Sequence, residues 1–133
     1  MPYQKSKLTE VVEAVRIKAQ TAVTKSIVFG ALPPDEGISV MLENGASDET
    51  FLSKGQRYHI SVSINSKSTD QMNALDWLGK IHETLTLTKD YPSGTNWQIS
   101  NIETTGLPMF LDREQNSQYL YGSSVRIDFY MKG

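Results

Sequence analysis

Between Tyr58 and Asn65 the chain alternates without a break, with Tyr58, Ile60, Val62 and Ile64 set against His59, Ser61, Ser63 and Asn65. A period of two predicts a strand with one buried and one polar face. Ile38, Val40 and Leu42 alternate in the same way with Ser39 and Met41, as do Val125, Ile127, Phe129 and Met131 with Arg126, Asp128 and Tyr130. Trp97 and Ile99 begin another alternation that slips at Ile102, as a bulge or a strand end requires. Ser26 to Leu32 is a short β-branched and aromatic run closed by Pro33-Pro34.

The period changes to three and four in two places. From Ser68 to Leu87, at about 100° per residue, Ala74, Leu75, Trp77, Leu78, Ile81 and Leu85 fall on one arc, with Asn73, Asp76, Lys80 and Glu83 opposite. Ser68 and Gln71 have the spacing of a capping box, Asp70 suits the positive end of the helix dipole, and Asp76 and Lys80 are spaced as an i,i+4 ion pair. From Ser6 to about Lys25, Leu8, Val11, Val12, Val15, Ala19, Ala22 and Val23 predict a second helix, rich in β-branched residues and so dependent on packing.

The punctuation is as informative. Asn44-Gly45 predicts a turn, and the polar stretch Ala46 to Gly55 a hairpin loop or a longer excursion. Thr88 to Asn96 reads as a loop, Gly106-Leu107-Pro108 as a break, and Met109 to Leu111 as an apolar patch before the very polar Asp112 to Gln118. Two helices among strands linked by turns predict an α+β fold. The expected form is a two-layer sandwich, a mostly antiparallel sheet packed by an N-terminal helix and a central helix at about 68–87.

At 133 residues the chain is expected to form one domain spanning 1–133, large enough for a core without disulfides. Hydrophobic residues at 38% and charged residues at 21% are ordinary globular values. A net charge of −2 argues against gripping a phosphate backbone, and no apolar run approaches the roughly 20 residues of a membrane span. The absence of cysteine removes thiol catalysis and zinc ribbons, and fits a reducing compartment. Nothing in Met1 to Lys5 resembles a secretory signal.

Candidate chemistry is thin. His59 falls on a polar strand face and His82 at the edge of the apolar arc, where its polar end should reach solvent; neither has a second ligand at metal spacing. The carboxylates of Asp35-Glu36, Asp48-Glu49 and Asp112-Arg113-Glu114 are close in sequence but belong to polar loops, where neighbours point apart into water. The glycines show no phosphate-cradling spacing. Tyr119, Tyr121, Phe129 and Tyr130 lack the basic stripe that base stacking needs, so core and interface packing is the expectation. Neither a cofactor, a metal nor an enzymatic activity is expected; a polar sheet face rich in Ser, Thr, Asn and Tyr points to assembly.

Leu32-Pro-Pro-Asp-Glu-Gly-Ile-Ser-Val40, Ala74-Leu-Asp-Trp-Leu-Gly-Lys-Ile-His82, Trp97-Gln-Ile-Ser-Asn-Ile102 and the segment Tyr119 to Gly133 together resemble the minor capsid or tail-completion proteins of long-tailed phages and prophages of Gram-positive bacteria. The element order is similar to that of tail terminator proteins. The resemblance implies an α+β subunit, a hexameric ring capping the tail tube and stopping its growth, and a docking face for the head. The implied partners are further copies of the chain, the tail tube protein and a head-completion or neck protein, with DNA only as cargo in the bore and no membrane. The implied location is the virion, after synthesis in the host bacterial cytoplasm. Loops 46–55 and 108–117 are then the expected contact elements, with Asp48, Glu49, Lys54, Asp112, Arg113 and Glu114 as candidate subunit or tube contacts. A head-closure or adaptor ring of the neck is the alternative, and a small ligand-binding domain or enzyme the alternative of another class.

Overall fold

The computed structural model describes residues 6–50, 55–87 and 90–132, in the order α1 (Lys7–Gln20), β1 (Ile27–Phe29), β2 (Gly37–Thr50), β3 (Gln56–Ser68), α2 (Gln71–Leu87), β4 (Trp97–Arg113) and β5 (Tyr119–Met131). The strands form one sheet, β1-β2-β3-β5-β4, in which only the β1–β2 pair is parallel. This is the expected α+β sandwich.

Both helices lie on one face of the sheet. The apolar set of β3, Ile60, Val62 and Ile64, continues through Val40 of β2, Val125, Ile127 and Phe129 of β5, and Ile99 and Ile102 of β4, and meets Val11, Val15, Leu78, Ile81 and Leu85 from the helices. Each such side chain contributes about 1.5–3 kcal/mol by leaving water. The opposite face, with Ser61, Ser63, Arg126, Asp128, Asn101 and Glu103 in register, carries no helix.

Helix α1 starts where the sequence predicts, with Ser6 as cap and its Oγ accepting from the Thr9 amide at 3.1 Å. It stops five residues short of Lys25. The Gln20 side chain is responsible: its Nε2 donates to the carbonyls of Val23 and Lys25 at 3.1 and 2.8 Å, and its Oε1 accepts from the Ile27 amide at 2.9 Å. These bonds fold the chain back into β1. The cap of α2 is also corrected. Asp70 Oδ1 accepts from the amides of Met72 and Asn73 at 3.0 and 3.4 Å, whereas Ser68 Oγ accepts from the Asp70 amide at 3.1 Å and donates to Glu36. Gln71 accepts from the Tyr121 hydroxyl instead of completing a capping box. The Asp76–Lys80 pair forms at 2.9 Å, exposed on both sides.

The largest departures are in the strands. Asn44-Gly45 is not a turn: β2 runs on to Thr50, with register shifts between Leu42 and Asn44 and between Ser47 and Glu49. Two bulges absorb the break in periodicity, and Gly45 serves close approach, since a Cβ there would lie 2.6 Å from Ile60 Cγ2. Of the expected loops 46–55 and 108–117, residues 46–50 and 108–113 are therefore strand. β4 continues through Gly106-Leu107-Pro108 to Arg113 with four register shifts. Proline is tolerated because β4 is the edge of the sheet and one side of its backbone has no ladder to supply. The slip before Ile102 is a bulge between Ile99 and Asn101 that returns Ile102 to the core face.

Candidate assembly surfaces

The strand registers fix where each candidate residue stands. Thr50 pairs with Gln56 and Gln56 with Met131, whereas Arg113 pairs with Tyr119 and Tyr119 with Ser68. The β2–β3 hairpin and the β4–β5 turn thus close opposite ends of the sheet. Asp48 and Glu49 belong to the end of β2, with side chains outside the described residues, and Lys54 lies outside them altogether. The end of β2 that holds Asp48 and Glu49 and the turn that holds Asp112, Arg113 and Glu114 lie at opposite ends of the sheet.

Asp112, Arg113 and Glu114 share the second turn, and their side chains serve it unequally. Asp112 Oδ1 accepts from the Arg113 amide at 2.7 Å. The Arg113 guanidinium lies over the Tyr119 ring, 5.7 Å from its centre. Glu114 reaches Lys67 Nζ at 2.9 Å, and the Lys67 side chain is only 7% exposed, so Glu114 is the counter-charge of a nearly buried cation. Asn116 accepts from the Gln118 amide and Ser117 takes a positive φ of 67° to close the turn.

His82 departs from its expected place. It is 5% exposed between α2 and β4, its Nδ1 shares a hydrogen bond of 2.7 Å with Thr104 Oγ1, and its buried Nε2 has no partner. Burial lowers its pKa from the ordinary 6.5. His59 does stand on the polar face, opposite Asp128 and Ala46. Among the described residues no group of three His, Cys, Asp or Glu could hold a metal ion, and no helix is long and apolar enough to cross a membrane.

What the charged residues drew attention away from is apolar. Leu107, Met109, Phe110 and Leu111 of β4 are 75%, 61%, 50% and 49% exposed. Phe110 packs edge-on against Tyr121 at 5.8 Å, and Leu111 closes over Gly122, where a Cβ would lie 2.7 Å from its Cδ1. At the opposite edge of the sheet stands a second set, Leu8 of α1 with Phe29 and Leu42 on the helix-bearing face and Met41 turned to the other face. Beside it an apolar cleft of about 390 Å³ is lined by Leu8, Leu42, Tyr58, Ile60, Phe129 and Met131, with Glu43 and His59 also on its wall. The sequence signal for the first set was the run Met109 to Leu111; the second is scattered over three elements and has no local signature.

The two sets stand at the same height. Phe29 pairs with Val40, Val40 with Ile64, and Ile64 with Ser123, which sits between Gly122 and Ser124; these pair with Met109 and Gly106. A two-layer sandwich with a polar sheet face that carries neither α1 nor α2, exposed apolar side chains on two sides and a charged β4–β5 turn has the form of a subunit that works by contact with neighbours. Residues 17–131 match the family described as bacteriophage tail terminator protein, and the chain belongs to that family of structural tail-completion proteins. In structure the chain is similar to a component of the "Virion of native gene transfer agent (GTA) particle", with a TM-score of 0.67 and 11% identity over 97% of this chain and 100% of that one. At that identity the likeness is one of fold. No curated protein sequence matches the chain.

Proposed function

We propose that the chain acts as one domain, 1–133, that joins identical copies in a ring, six in the virion, on the last turn of the tail tube. The ring ends tube growth and offers the surface on which the head docks. The observation that carries this reading is family membership over residues 17–131, in a fold whose two turns lie at opposite ends of the strands. A terminator needs two unlike end faces, one matching the tube protein and the other unable to template a further tube ring. A ring of identical subunits needs one heterologous interface repeated until it closes. On this reading Asp48, Glu49, Lys54, Asp112, Arg113 and Glu114 are contacts to neighbouring subunits or to the tube, and the partners beyond the ring are the tail tube protein and a head-completion or neck protein. DNA passes only as cargo through the bore. The role is geometric, without catalysis or a cofactor, in keeping with a structural family.

Electron microscopy of tails assembled with and without the protein tests this. Overlong or irregular tubes in its absence are the expected result. Free tails of normal length that fail to join heads would assign it instead to head closure, and normal virions would reject both readings.

A further inference from the structure

We propose that the contact between copies is formed by the apolar tract Leu107–Leu111 of one subunit seated against the α1–β1–β2 side of the next, around Phe29 and Leu42. The proposal rests on the ring reading above and names the surfaces that close it.

Three observations select a second copy as the occupant. First, the two apolar sets lie at opposite edges of one sheet at one height along its strands, Phe29 level with the stretch between Gly106 and Met109. Copies related by rotation about an axis along the strands, without a rise, bring these two sets face to face. A helical array would need them offset. Second, the area is of the right order. At about 200 Å² for a fully exposed large side chain, the eight exposed residues leave on the order of 800 Å² in water. That is about half of the roughly 1,600 Å² that a stable interface removes, with flanking backbone and polar atoms to supply the rest. Third, the flanking charges are complementary. Ile27, the first residue of β1, is level by register with Ile38, Ser66, Tyr121 and Phe110, and Lys25 comes two residues before it in the chain, as Asp112 comes two residues beyond Phe110. Among the described residues neither Lys25 nor Asp112 has an ion-pair partner within the chain. At the other end of the tract Glu43 and Glu103 share a height, both exposed, and their repulsion marks where the contact stops.

The chain has no cysteine, so engineered thiols report on this contact alone. Phe29→Cys and Leu107→Cys are introduced singly and together into the full chain and oxidised with diamide, both in concentrated solution and on assembled tails. The expected result is that each single variant stays uncrosslinked, the mixture of the two gives a crosslinked dimer, and the double variant gives a ladder that ends at the ring. Leu107→Glu, at an exposed position where folding is unaffected, is expected to weaken self-association tenfold or more. Crosslinking of like positions would show a two-fold dimer and overturn the proposal, as would capture of the tube protein by Leu107→Cys, or no crosslink on tails of normal length. In the last case the terminator reading survives, because tail length is read separately; normal tails without the protein would remove that reading while leaving the crosslinks in solution to decide the contact.

Discussion

His82 of α2 and Thr104 of β4 share a hydrogen bond of 2.7 Å across the helix–sheet interface, set among the apolar contacts of Leu78, Ile81, Leu85 and Ile102. The imidazole is held neutral there, because burial disfavours its charged form. Its pKa in the folded chain is lowered, whereas the unfolded chain keeps the ordinary value of 6.5. Below about that pH the unfolded chain therefore binds a proton that the folded one refuses. The stability from this site is fully present above pH 6.5 and falls as pH drops beneath it, by at most about 1.4 kcal/mol per pH unit. Denaturant unfolding at pH 7.5 and 5.5 should show a loss in the native protein and a smaller loss in His82→Leu. Equal losses in both would place the acid sensitivity elsewhere.

Asp70, and not Gln71, caps α2. Asp70→Ala removes the acceptor for the Met72 and Asn73 amides and should cost about 1 kcal/mol. Gln71→Ala gives up only an exposed bond from Tyr121 and should stay within about 0.5 kcal/mol. Thermal melts of the two variants compare them directly, and the reverse ranking would restore the capping box.

Gln20 ends α1 by taking over three backbone groups of the following turn. At about 0.5–1.5 kcal/mol per bond, Gln20→Ala should lower stability by about 2 kcal/mol. Amide exchange should quicken first at Ile27, whose N–H loses its acceptor.

At the β4–β5 turn, reversing charges should separate folding from assembly. Glu114→Lys leaves the nearly buried Lys67 ammonium facing another cation, and a stability loss of about 1–3 kcal/mol is expected. Asp112→Lys touches only a local bond to the Arg113 amide and should leave the melting temperature within a degree or two, while tails made with it fail to complete or to join heads. Normal tails and infectivity with Asp112→Lys would remove this turn from the contacts.

Much of the architecture is legible in local pattern. The alternation of β3 and β5, the arc of α2 from Ala74 to Leu85, and the slip before Ile102 each depend on near neighbours along the chain and appear in place. The extent of β2 and β4 was not legible. Whether Asn44-Gly45 turns or extends depends on Ile60 and Ser61 across the ladder, and whether Pro108 breaks a strand depends on that strand lying at an edge; both are facts about partners distant in sequence. His82 went inside because Thr104, 22 residues away, offers it a hydroxyl. The candidate surface suffered most, since charge is conspicuous in a sequence, whereas an apolar patch assembled from Leu8, Phe29 and Leu42 exists only after folding.

The unevenness of β4 has a consequence for the protein before it reaches its place. A flat outermost strand of 17 residues would be a template for fibre growth, and this one bears Leu107 to Leu111 in water. Four register shifts and a proline without an N–H deny any incoming strand a continuous row of partners. These apolar side chains can thus stand in water at high protein concentration while amyloid-like stacking finds no seed.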